Sequence, residues 1–150
     1  MQNSSNGRAP LFSVEDIAGA EAALASMSDN FQLWLNEEIQ KLGAARFNAQ
    51  AHGWSDVSLG ELLVAAHDVK GLGATYDYPL ATELAASLCK LLETPEGKRA
   101  ARANTLLIDA HVDAIRACER DGIRSADDPV GCKILRTLER RVDALNIAPA

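Results

Sequence analysis

The chain has 150 residues, 47% of them hydrophobic, with a net charge of −6 and three cysteines. That length suits one good core and is short for two domains, and the acidic balance argues against a nucleic-acid surface, which needs a basic patch. No run approaches the roughly 20 apolar residues that cross a bilayer, and the first ten residues lack the apolar stretch of a secretion signal.

Cys89, Cys118 and Cys132 are an odd set without zinc-type spacing. Reduced thiols, each a small buried apolar residue, are the simplest account. The expectation is a soluble cytoplasmic protein with no membrane contact. Residues 1–12 read as a flexible leader and 13–147 as a single domain.

Alanine and leucine at helical spacing dominate, and no segment alternates as a strand would. Ser13 and Asp16 form a capping-box pattern that opens a short helix through Ile17 and Leu24. After Ser28-Asp29-Asn30, a longer helix carries Phe31, Trp34, Leu35, Leu42 and Ala45 on one face. It ends before His52-Gly53-Trp54-Ser55-Asp56. Ser58 and Glu61 form a second capping box, which predicts a helix from near Leu59 to near Tyr76-Asp77. Asp77 is expected to cap the next helix, with Pro79 in its first turn and Leu80, Leu84, Leu88, Leu91 and Leu92 inward.

Thr94-Pro95 opens a helix carrying Leu106, Leu107, Ala110, Ile115 and Cys118, which Gly122 ends. Asp128-Pro129 starts the last helix, with Ile134, Leu135, Leu138, Val142 and Leu145 inward and Arg136, Glu139 and Arg140 outward. Short connections favour antiparallel neighbours. The predicted architecture is all-α, an up-and-down four-helix bundle with an additional N-terminal helix.

The helix over Leu59–Tyr76 carries the chemistry. At 100° per residue, Leu59, Leu62, Ala66, Val69 and Gly73 form its core stripe, and His67 lies roughly 120° from the middle of that stripe. The ring therefore belongs at the edge of the bundle. Its helical neighbours, Gly60, Leu63, Val64, Lys70, Gly71 and Ala74, are mostly small. Neutral imidazole is a nucleophile that can take up a phosphoryl group and release it. Lys70, one turn on, can offset the added negative charge. Gly71 leaves the approach open, although glycine in a helix interior costs about 1 kcal/mol against alanine.

Other candidates are weaker. His111 shares a stripe with Leu107, Ile115 and Cys118 and reads as a core or boundary histidine; His52 sits in a linker. Asp109 and Asp113 flank His111, but paired Glu-x-x-His motifs of metal-binding bundles are absent. The Lys98–Arg102 run and Arg136, Arg140 and Arg141 read as solvated faces. No Gly-rich phosphate loop follows a strand, so ATP binding of the kinase kind is not expected.

The run Ala65-Ala66-His67-Asp68-Val69-Lys70-Gly71-Leu72-Gly73-Ala74-Thr75 resembles the signature of histidine-containing phosphotransfer (Hpt) domains. Pro79-Leu80 through Leu84, Cys89 and Leu92-Glu93 is similar to the helix that follows it in that family. The resemblance implies a four-helix bundle carrying a phosphoryl group on His67 Nε2. The group would pass between receiver aspartates, or from a histidine kinase (hybrid or not) to a response-regulator receiver domain.

By the same resemblance, Lys70 is the charge partner and Gly71 gives the receiver access. On the helix itself, the docking face is expected to be the exposed side around Gly60, Val64, Gly71 and Ala74, with apolar Leu63 and Leu72 near its margins. The protein would be a monomeric carrier rather than an enzyme. It would need no cofactor or metal, because the Mg²⁺ of such transfers belongs to the receiver.

Two positions depart from the family. Asp77 stands where glycine is common, and Cys89 stands where Glu or Gln orients the other imidazole nitrogen. A thiol is a poor acceptor, so a backbone carbonyl, water or another side chain would take that role. The alternative reading is a helical protein-binding module whose histidine is never phosphorylated. A third is a metal or cofactor bundle using His67, His111 and a cysteine.

Overall fold

Among the described residues, caps and apolar periodicity cut the chain into six α-helices: α1 (Val14–Ala51), α2 (Asp56–Gly73), α3 (Pro79–Leu92), α4 (Pro95–Arg102), α5 (Thr105–Asp121) and α6 (Pro129–Asp143). The computed structural model describes residues 13–149, and the leader expected over 1–12 lies outside the described residues. Among the described residues there is no strand, and the fold is all-α. None of these helices is long and apolar enough to cross a membrane.

The chain divides into two compact units, Met1–Leu33 and Trp34–Ala150. In the first, the predicted capping box forms: Asp16 N–H donates to Ser13 Oγ at 3.0 Å and Ser13 N–H to Asp16 Oδ2 at 3.2 Å. The predicted break at 28–30 does not occur, and the short N-terminal helix and the next are one helix. The run contains neither Gly nor Pro, and polar residues each cost only about 0.5 kcal/mol of helix propensity. Flanking alanine and leucine carry the helix through.

In the second unit, α1 from Trp34 buries Leu35, Ile39, Leu42 and Ala49 at helical spacing. It borders α2 through Asn48 Nδ2 donating to Glu61 (3.0 Å). It borders α5 through Asn36 donating to Glu119 (2.7 Å) and through Arg46, which reaches Asp109 (3.1 Å) and Asp113 (2.9 Å). The α5 pairings, Asn36 with Glu119 and Arg46 with Asp109, run α1 antiparallel to α5. α3 borders α2 through Gly73 and Thr82, and α5 through Ser87 and His111. α6 lies parallel to α3, with Lys90 on Asp143 at 2.8 Å and Gly131 against Leu80.

The core lies among these helices, with Leu59, Leu62, Leu80, Leu84, Leu88, Ile108, Ile115 and Leu135 fully buried. Each contributes about 1.5–3 kcal/mol of transfer free energy.

Three predicted boundaries are corrected. α2 begins at Asp56 rather than Leu59, because Ser55 is its N-cap and its Oγ accepts the Ser58 N–H at 3.2 Å. Ser58 is buried, its hydroxyl returned to the Ser55 carbonyl at 3.0 Å, and Glu61 is taken by Asn48, so no second capping box forms. The early start puts Asp56 in the first turn, where Arg102 of α4 bonds it at 2.7 Å and holds its carboxyl below the usual range.

At its other end α2 stops at Gly73, and Asp77 does not cap α3; the N-cap is Tyr78, without a side-chain bond. Asp77 adopts the left-handed region at φ 68° and its carboxylate accepts from Arg124 at 2.6 Å. The helix expected from Thr94-Pro95 to Gly122 is two, α4 and α5. Asn104 Nδ2 bonds the Ala100 carbonyl at 2.9 Å, and such local bonds compete with helix continuation. Gly122, in the left-handed region at φ 70°, ends α5 as predicted. Asp128 caps α6, accepting from the Val130 and Gly131 amides at 2.9 and 3.1 Å.

Candidate functional site

α2 sorts its residues into three directions. Ser58, Leu59, Leu62, Ala65, Ala66, Val69 and Gly73 are buried. His67, about 140° from the centre of that stripe by helical arithmetic, is exposed. Gly60, Val64, His67, Gly71 and Ala74 follow one another at three- and four-residue steps and share the outer face. Val64 is 62% exposed, a large apolar side chain one turn from the imidazole. Leu63 and Leu72, expected near the margins of that face, are half-buried and pack against the core on opposite flanks of α2.

The glycines of this helix are of two kinds. A Cβ added at Gly60 or Gly71 meets nothing within 4 Å. At Gly73 it would lie 2.6 Å from Thr82 Oγ1, 2.8 Å from Thr82 N and 2.9 Å from the Tyr78 carbonyl. Gly73 is therefore required by the close approach of α3. No described residue requires glycine at position 60 or 71. Each nonetheless weakens the helix by about 0.8–1 kcal/mol relative to alanine.

Lys70 is exposed one turn from His67, and its ammonium makes no ion pair with any described residue. The backbone beneath it is clamped from α3: Thr82 Oγ1 donates to the Lys70 carbonyl at 2.9 Å and accepts the Ala74 N–H at 2.7 Å. No hydrogen bond reaches the exposed His67 imidazole from any described residue. Cys89 does not orient it. That thiol is buried, and burial pushes it up to about 11 against a smaller opposing pull from the Lys70 charge.

Sequence reasoning missed two contributors. Val57 is exposed and extends the outer face beyond Gly60; it fell outside the helix because the start was placed at Leu59. Thr82 acts across the α2–α3 connection and has no local signature.

The remaining candidates stay apart from this face. His111 is fully buried, as expected of a core histidine, with Nδ1 2.7 Å from the Leu107 carbonyl and Nε2 2.9 Å from Ser87 Oγ. A carbonyl only accepts, so Nδ1 carries the proton and Nε2 accepts from the serine. Burial lowers its pKa, the Leu107 bond only partly opposing this. His52 is exposed, its Nδ1 at 2.9 Å from the Asn48 carbonyl. Among the described residues no three His, Cys, Asp or Glu side chains come together as metal ligands. His67 outside and His111 inside cannot share an ion.

Comparisons with protein-family models, curated proteins and solved structures find no match for this chain.

Proposed function

We propose that the chain is a phosphoryl carrier of the histidine-containing phosphotransfer kind, accepting the group on His67 and yielding it to a receiver-domain aspartate. The observation that carries this reading is the pair Gly60 and Gly71. They flank an exposed histidine, cost helix stability, and answer to no contact with any described residue. A surface that must be approached closely by another protein accounts for both. The scaffold would be an up-and-down four-helix bundle made of α1 from Trp34, α2, α3 and α5, with α6 packed alongside α3.

In the transfer, the Nε2 lone pair of a neutral His67 attacks the phosphorus of an acyl phosphate on the receiver. The N–P bond forms as the P–O bond breaks, leaving the receiver's carboxylate. The proton on Nδ1 stays on the ring. The phosphoryl group brings close to two negative charges, and the unpaired Lys70 ammonium one turn away offsets them. With Cys89 buried and unbonded to the ring, water or a receiver group orients Nδ1. Val64 supplies apolar contact one turn from the imidazole, and Val57, about 15 Å back along the helix axis, extends the apolar surface away from it. The kinase or receiver brings the Mg²⁺ and the rest of the catalytic machinery.

The test is incubation with a phosphorylated receiver domain. Acid-labile label should appear on the wild type and be lost in His67→Gln with the helical circular dichroism signal unchanged. Undiminished label on His67→Gln would remove the assignment. Receiver binding without any label on the wild type would favour the non-phosphorylated docking module.

A further inference from the structure

The first half of α1 presents a second surface, independent of His67. Over 14–27 its apolar side chains stand outside: Val14 is 84% exposed, Ile17 48%, Leu24 64% and Met27 49%. Ile17, Ala20, Leu24 and Met27 recur at steps of three, four and three, the spacing of a coiled-coil seam. Most helices of this size owe their stability to burying such a stripe. Here it is open to solvent.

Charge identifies the occupant. At 100° per residue Asp16 and Glu21 fall on opposite sides of the seam, each about 70° from its centre. In heptad terms they are the rail positions that set partner choice. From Ser13 to Gln40 the chain has Glu15, Asp16, Glu21, Asp29, Glu37 and Glu38 and no Lys, Arg or His. A second copy is therefore excluded as the natural fit. In a parallel pair, Asp16 of one copy would face Glu21 of the other, and no register supplies an attractive pair. An anionic lipid surface is repelled for the same reason.

We infer that residues 14–27 are a docking strip for a basic amphipathic helix of a partner protein, its apolar seam on Ile17, Leu24 and Met27 and its lysines or arginines on Asp16 and Glu21. Such a helix buries the open stripe and neutralises both rails.

The experiment uses the full chain and a labelled three-heptad peptide with leucine at the seam and lysine on the rails, followed by fluorescence anisotropy. Saturable binding is expected at low salt, weakened about tenfold or more at high salt. A peptide with glutamate rails should not bind. Ile17→Ser with Leu24→Ser should weaken binding about tenfold or more. Asp16→Lys with Glu21→Lys should transfer the preference to the glutamate peptide. All four positions are exposed, and only Asp16→Lys touches a bond, the Ser13–Asp16 cap, so circular dichroism should lose at most the first turn of α1.

Equal binding of the two peptides, no binding of the lysine peptide, or affinity unmoved by the variants would overturn the inference. So would sedimentation showing self-association that Ile17→Ser with Leu24→Ser abolishes. None of these outcomes depends on phosphorylation of His67.

Discussion

The Thr82 hydroxyl donates to the Lys70 carbonyl across the α2–α3 connection, at 2.9 Å, and the same oxygen accepts the Ala74 N–H at 2.7 Å. One side chain thus serves both an orphan carbonyl and a late amide at the end of the helix that bears His67. Thr82→Val keeps the shape and deletes both bonds. It should cost about 1 kcal/mol in urea denaturation at unchanged slope. It should also slow phosphotransfer, because Lys70 and Gly71 lie in the turn being loosened. Unchanged stability would mean that water serves the end of α2 equally well.

His111 should make stability fall with acid. Its neutral form is the one bonded to Leu107 and Ser87, and burial sets its folded pKa below the ordinary imidazole value. The unfolded chain therefore binds the extra proton first. Stability contributed by the neutral ring is complete above about pH 6.5 and is lost as pH falls below it, at up to about 1.4 kcal/mol per unit. His111→Leu removes this slope; Ser87 can then bond its own helix. Urea midpoints between about pH 7.5 and 5.5, above the carboxylate range, isolate the effect as the difference in slope between the two proteins. Parallel curves would show that His111 does not carry it.

The position of His67 at the helix edge was legible because it depends only on the 100° register of α2, which an error in the helix start does not change. The start itself was not legible. Ser55 and Ser58 are both good caps, and Ser58 instead became a buried side chain returned to the Ser55 carbonyl. The loss of Val57 from the candidate face followed directly. The split at Asn104 and the unbroken helix at 28–30 are the same difficulty with opposite results: polar residues weaken a helix at both places, and at the split Asn104 also bonds the Ala100 carbonyl. Thr82 was out of reach because its bond joins residues 12 apart across a turn. The two kinds of glycine could not be told apart until α3 was in place.

Thiol reactivity separates the cysteines. Cys89 and Cys118 are buried, and burial pushes each thiol up to about 11, so about one in a thousand is thiolate at pH 8. Cys132 is half-buried and reachable. A thiol reagent on the native protein should modify Cys132 first, with Cys89 and Cys118 reacting only on unfolding, as read by mass spectrometry. Because no bond joins Cys89 to His67, Cys89→Ala should leave the transfer rate within about twofold. A larger loss would restore Cys89 to the site.

Alanine scanning of the three α2 glycines separates docking from packing. At Gly60 and Gly71 a methyl group meets open space, so each substitution should stabilise the protein by about 0.5–1 kcal/mol. At Gly73 the same methyl group is driven against Thr82 and the Tyr78 carbonyl, so the change should destabilise by about 1–3 kcal/mol. Function should run the other way at the outer pair. Gly71→Ala, and more strongly Gly71→Leu, should slow phosphotransfer from a receiver while raising the melting temperature. Reaction with a small phosphodonor such as phosphoramidate, which needs no protein docking, should change little. That split between protein and small-molecule donors is what an access role predicts and a structural role does not. If both donors slow together, Gly71 serves the imidazole's own chemistry; if neither does, the open face around His67 is not where the receiver sits.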